Sequence, residues 1–214
     1  MNGLRLADRL AYGAGCAARR VGYEHDVFRT DVPDAPLDPA RLVLRAHVAF
    51  VLPSGAVNAP NPLGNPFRQA WADWSYLHTG DYLVGPEGVA FIAAIEPPKP
   101  MLVVMTNCVV ALVRPASPVA AGLNVYGAIL PQTETVLMAG FPASLLTGGT
   151  GDRTKVGLPD DSRIPGFVGL IPAIEGVVPR VADLLENERG ERFAVAGVER
   201  IDGVWRLSLI QAVS

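Results

Sequence analysis

The residues able to do chemistry are few and scattered. His25, His47 and His78 share no spacing that would set two imidazoles on one metal ion. In "YEHD" an extended backbone turns His25 away from both Glu24 and Asp26. Cys16 and Cys108 lie 92 residues apart, which matches neither a zinc pair nor a CxxC redox motif, and both read as small apolar side chains. "GGTGDRTK" ends a glycine-rich stretch in lysine, but a phosphate loop needs Gly-Lys-Ser/Thr opening a helix. Here Thr154 precedes Lys155, and Val156 and Gly157 follow it. Ser144 in "GFPAS" lacks the flanking glycines of a nucleophile elbow. Asp160 and Asp161 in "PDDS" read as a solvated loop rather than a cation site. No acid, base, nucleophile or ligand cage assembles from this set, so the expectation is a chain with no catalytic, metal or cofactor site.

The elements that would carry these residues are mostly strands. Residues 4 to 21 place Leu4, Leu6, Leu10, Ala14, Ala17, Ala18 and Val21 at helical spacing, with Gly22 as the stop. The stripe is small and suits close packing, either on a partner or on the chain's own body. A Pro- and Asp-rich connector, "DVPDAPLDPAR", leads to "LVLRAHVAFVLP", where Leu42, Leu44, Ala46, Val48 and Phe50 alternate with Arg45 and His47 as a half-buried strand does. "SGAVNAPNPLGNPF" is a loop, because its prolines and glycines leave no room for a regular element. Trp71, Trp74 and Tyr76 then form an aromatic cluster that reads as a small core or an interface anchor. Leu6, Leu10, Trp71, Trp74 and Tyr76 are the candidate interface residues.

One pattern occurs twice. Asp81 and Asp183 are each followed seven residues later by glycine, Gly88 and Gly190, and three residues after that by phenylalanine, Phe91 and Phe193, at a constant offset of 102. Glycine supplies the positive φ that a tight hairpin requires. A further strand follows each hairpin: "MLVVMTNCVVALVR" in the first copy, and "VWRLSLIQAV" after the turn dipeptide Asp202-Gly203 in the second. The fold class expected is mainly β, with two small antiparallel barrel or sheet units in tandem by internal duplication and an N-terminal α-helix. The segments are a helix and connector at 1–40, a first β-unit at 41–114, a Pro- and Ala-rich linker at 115–124 and a second β-unit at 125–214. Within the second unit "TVLM" and "GFVGLIP" read as strands and "PASLL" as one helical turn. "TGGTGDRTKVGLPDDS" reads as a loop suited to meeting a neighbour.

Composition narrows the function classes. Of 214 residues, 50% are hydrophobic and 18% charged, a thin polar shell for a protein standing alone. The deficit is concentrated between Met101 and Gly151, where Arg114 and Glu134 are the only charges. Pro115, Pro118, Gly122 and Asn124 interrupt that stretch, so it is no membrane span. Burial against other subunits accounts for it, as an enclosed core also would. A net charge of −3 does not suit a protein that grips a nucleic-acid backbone. Arg5, Asp8 and Arg9 break any signal-peptide core, which points to a protein made in the cytoplasm.

"LADRLAYGAGCAARRVG", "GDYLVGPEGVAFIAA", "TNCVVALVRP" and "WRLSLIQAVS" resemble a family encoded in the structural modules of tailed bacteriophages and proteobacterial prophages. The Gly-Asp hairpin is also similar to the β-barrel of phage head-to-tail joining proteins, the stoppers and tail-completion proteins that ring the path below the portal. The resemblance implies a virion protein of the neck or tail that works by packing subunits into a homo-oligomeric ring, with no catalysis and no cofactor. Its partners would be copies of itself, the portal or adaptor, and tail or fibre proteins, with DNA only passing through the channel and no membrane. A tail hub or fibre anchor of the same particle is the alternative. From other classes come a carbohydrate-binding module stacking sugars on Trp71, Trp74 and Tyr76, and a small histidine-dependent hydrolase.

Overall fold

The structure is a computed structural model that describes residues 3–52, 66–116, 134–147 and 166–212. One helix, α1 (Gly3–Val21), precedes two closed barrels of six antiparallel strands. The first barrel holds β1 (Tyr23–Phe28), β2 (Leu42–Val51), β3 (Phe67–Trp71), β4 (Tyr82–Gly85), β5 (Gly88–Ala94) and β6 (Met101–Met105). The second holds β7 (Cys108–Pro115), β8 (Glu134–Thr147), β9 (Gly166–Pro172), β10 (Leu184–Asn187), β11 (Arg192–Ile201) and β12 (Val204–Gln211). Around the first, the order is β1-β2-β3-β6-β5-β4, and around the second it is β7-β8-β9-β12-β11-β10. Strand for strand this is one wiring used twice, and closure leaves no unpaired sheet edge in either copy.

The boundary between the units falls earlier than composition places it. "MLVVMTNCVVALVR" is two strands, and its second half, β7, pairs with β8 and β10 of the second barrel. The polar pair Thr106 and Asn107 makes the break by bonding to opposite sides. Thr106 Oγ1 donates to the Val89 carbonyl of the first barrel, while Asn107 Nδ2 donates to Leu145 O and its Oδ1 accepts from Leu145 N in the second. The units are therefore 23–105 and 108–211 rather than 41–114 and 125–214, and β1 belongs to the first barrel rather than to a connector. Most of the expected 115–124 linker lies outside the described residues. "PASLL" is extended, not helical: β8 runs through it, bent at Gly140 (φ +75°), and Pro142 sits in a ladder position facing Val109.

The repeat extends to individual hydrogen bonds. Arg29, just past β1, and Arg114, near the end of β7, each grip an aspartate at the start of the unit's fourth strand. Arg29 Nε and a terminal nitrogen reach Asp81 at 3.0 and 2.8 Å, and Arg114 reaches Asp183 at 2.8 and 2.8 Å. Each carboxylate also accepts a backbone N–H from three residues upstream, His78 in one copy and Arg180 in the other. Each guanidinium donates once more to a loop carbonyl, Tyr76 O or Val178 O. The residue before each aspartate has positive φ, Gly80 at +93° and Ala182 at +73°. Thus the aspartates of the sequence repeat lock a turn onto the strand that opens each unit.

The phenylalanines of the sequence repeat do not correspond. In the first copy Gly85 pairs with Gly88 across a two-residue turn, and Tyr82 faces Phe91. The second turn is one residue longer, closed by Asn187 N donating to Glu191 O, so Leu184 faces Ala194 and Leu185 faces Phe193. One residue of slip exchanges the faces of a strand. Phe193 therefore points into the second barrel against Phe167, while Phe91 points out of the first barrel.

Two cores result. The first barrel is filled by Val27, Val48, Leu83, Ile92, Met101 and Val103, with Ala11 and Ala14 of α1 in the same cluster. Outward from β4, β5 and β6, the row Tyr82, Phe91 and Val104 joins the core of the second barrel, fully buried. The Tyr82 hydroxyl donates to Pro142 O at 2.7 Å, which satisfies the one polar atom this row carries inward. The hairpin between β11 and β12 reaches back, with Gly203 N donating to Ala93 O.

Gly88 and Gly190 both have positive φ, at +112° and +77°, and an added Cβ at either would meet nothing within 4 Å. The cost of a side chain there is backbone strain alone. Gly190 lies close to the left-handed well that Asn tolerates, whereas Gly88 lies outside it. Gly88→Asn is expected to lower stability by about 1–3 kcal/mol and Gly190→Asn by less than about 1 kcal/mol, read from urea midpoints.

Candidate interaction surface

The helix carries two apolar faces. Ala11, Ala14 and Ala18 are buried, and α1 contacts β2, β3 and the 3₁₀ turn Trp74–Tyr76. Small side chains are needed here because the approach is close: a Cβ on Gly15 would lie 2.9 Å from Asp73 Cβ, and one on Gly22 would lie 2.2 Å from Val48 O. At 100° per residue Leu6, Leu10, Gly13, Ala17 and Val21 fall in an arc of about 80°, beside the buried face. All five are exposed. Arg9 and Arg20 flank this second stripe, and across the whole helix four arginines face one aspartate, Asp8.

Of the aromatic cluster, Trp74 is 9% exposed and packs in the first core, while Trp71 at 40% and Tyr76 at 71% face solvent. Asp73 accepts from Ser75 N and caps the short turn that aims Tyr76 outward. The guanidinium of Arg29 fastens the Tyr76 carbonyl from beneath. The matching loop in the second unit presents Val178 in the same way, 55% exposed above Arg114. The structure thus keeps Leu6, Leu10, Trp71 and Tyr76 as surface residues and withdraws Trp74 from any stacking role. Tyr12 and Val178 are surface features that helical and strand spacing had not singled out.

Between α1 and the barrel lies a groove of about 240 Å³, bordered by Tyr12, Arg19, Arg45, His47, Asp73 and Tyr76. Arg45 is held by Asp26 at 2.8 Å, which is its cross-strand partner in β1. A second, wider concavity of about 390 Å³ lies where the barrels meet, between Thr79 and Glu96 on one side and Arg200 and Asp202 on the other.

The remaining candidates for chemistry stay apart. His25 is fully buried in the first barrel. Its Nδ1 lies 2.9 Å from Tyr23 O, and because a carbonyl only accepts, Nδ1 carries the proton. Nε2 has no partner and lies against Gly85, with Phe50 edge-on to the ring. Glu24 and Asp26 point the other way, as strand alternation requires. His47 is exposed on β2 and His78 is exposed in the loop before β4, and Ser144 is buried. Among the described residues no group of three His, Cys, Asp or Glu could hold a metal ion. The glycine-rich segment with Lys155, and Asp160 and Asp161, lie outside the described residues. No helix of the described residues is long and apolar enough to cross a membrane.

Burial, then the nearby carboxylate of Glu188, pushes the Cys108 thiol up to about 11. A thiol raised in this way is unreactive near neutrality because the thiolate is the nucleophile. Iodoacetamide at pH 8 is expected to label Cys108 roughly two orders of magnitude more slowly in the native chain than in urea, read by peptide mass spectrometry. The unfolded thiol ionises first, so this residue's contribution to stability is intact below about pH 8.5 and is lost as the pH rises toward 11.

The chain matches no protein-family model, no curated protein and no solved structure.

Proposed function

We propose that this protein is a ring-forming structural component of a tailed bacteriophage particle, placed at the neck or tail, that acts by packing subunit against subunit and catalyses nothing. The phage assignment rests on the resemblance of the sequence. The assembly rests on one observation: α1 spends its alanines on its own barrel and leaves Leu6, Leu10 and Val21 in water. A contiguous apolar stripe of that kind marks an interaction site. Two closed barrels with locked turns suit a load-bearing part, and Tyr76 and Val178 give each unit an exposed apolar loop for the layer above or below. With a net charge of −3 such a ring would let DNA pass without binding it.

The same reading makes neighbouring virion proteins, whether portal, adaptor, tail or fibre, the partners. Native mass spectrometry of the purified chain tests the assembly. A single closed oligomer of fixed copy number is expected, and a monomer at every concentration would overturn the reading.

A further inference from the structure

We infer that copies join head to tail, with the outward stripe of α1 on one subunit seated across the outer face of β10, β11 and β12 on the next. The inference rests on the ring-forming reading and says which two surfaces meet.

The argument comes from the repeat. In the first barrel, cross-strand pairing sets Tyr82, Phe91 and Val104 in one row over β4, β5 and β6, and the second barrel covers it. The same pairing in the second barrel aligns Leu184, Ala194 and Ile210 over β10, β11 and β12. Nothing described in the chain covers that row: Leu184 and Ala194 are half-buried and Ile210 is 42% exposed.

The opposite flank shows the complement. The second and third strands of the second barrel, β8 and β9, receive β6 and β5 of the first. Their equivalents in the first barrel, β2 and β3, receive α1 instead. The helix therefore stands where a preceding barrel would stand, and its outer stripe is the free end of the line. Row and stripe are the two unmatched ends of one repeated contact, so a second copy is the occupant that continues it. Surfaces of this kind, different on the two partners, generate a ring when the rotation closes.

Shape and charge agree. A 19-residue helix is about 28 Å long and an eight-residue strand about 27 Å. The row offers the apolar side chains of Leu184, Ala194 and Ile210 for the helix to lie on. At its edge Glu134 and Glu186 share the single guanidinium of Arg192, which leaves an excess negative charge facing Arg9 and Arg20 beside the stripe.

Crosslinking decides it. In a background with Cys16→Ser and Cys108→Ser, chains carrying Leu10→Cys and chains carrying Ile210→Cys are mixed and treated with a short bismaleimide. Covalent dimers are expected in the mixture, a ladder from the double variant, and monomers from either variant alone. Leu10→Asp should abolish the oligomer with the circular dichroism spectrum unchanged. Leu10→Cys chains linking to one another would mean a symmetric helix contact and would overturn the inference. An oligomer by native mass spectrometry with neither crosslinking nor sensitivity to Leu10→Asp would also overturn it while leaving the ring reading standing. A wild-type chain that stays monomeric would remove both.

Discussion

Arg114→Ala is expected to cost about 3 kcal/mol of folding stability, more than Asp183→Ala. The asymmetry follows from where the partners sit: the Asp183 side chain is 3% exposed and that of Arg114 is 30% exposed. Remove the guanidinium, and the carboxylate stays sealed with, among the described residues, only the Arg180 N–H for company. Remove the carboxylate, and Arg114 swings into water, losing a charge-assisted pair and its hold on Val178 O at a cost of about 1–2 kcal/mol. The figure for Arg114→Ala sits at the low end for buried pairs because the arginine is only partly withdrawn from solvent. The pKa of Arg114 is raised by its hydrogen bonds to Asp183, so it stays charged through any accessible pH. The same order, Arg29→Ala worse than Asp81→Ala, is expected in the first barrel, where the exposures are 32% and 2%. Urea denaturation of the four variants provides the check, and an aspartate variant that is the more damaging of its pair would contradict the account.

Gly22→Ala should cost about 3 kcal/mol, although it adds a single methyl group. The new Cβ would lie 2.2 Å from Val48 O, 2.5 Å from Val48 C and 2.8 Å from Ala49 N, and all three are backbone atoms of β2. No rotamer change relieves a clash with a strand, so α1 must lift from the barrel and expose Ala11, Ala14 and Ala18. Gly13→Ala in the same helix has the opposite expectation. Its Cβ meets nothing within 4 Å, and alanine is the better helix former by up to about 1 kcal/mol. Thermal denaturation of both variants, with hydrogen exchange over residues 11 to 18, reads the difference directly. Equal effects would show that the helix does not depend on that close approach.

What could be read in the sequence was what short stretches decide. The 3.6-residue spacing of α1, the alternation through β2, the Asp202-Gly203 hairpin and the glycines at positions 88 and 190 are properties of a few neighbours each, and the structure has all of them. What could not be read depends on which strand lies beside which. The partners Arg29 and Asp81 lie 52 residues apart, and Arg114 and Asp183 lie 69 apart, so spacing alone carries no trace of them. Phe91 and Phe193 stand at equal counts from matching aspartates yet face opposite ways, because one extra turn residue before Phe193 shifts the register. Trp74 shares its residue type with Trp71 and differs only in packing into the first core. One overlooked signal was within reach: Thr106 and Asn107 are the lone polar pair in a long apolar run, and they mark the join between the barrels.

The most direct test of the virion reading is quantitative peptide mass spectrometry of purified particles, with copies of this chain counted against the major capsid protein. A small fixed copy number, equal to the subunit count of the oligomer seen by native mass spectrometry, is the predicted result. Absence of the chain from particles that contain the capsid and portal would contradict it.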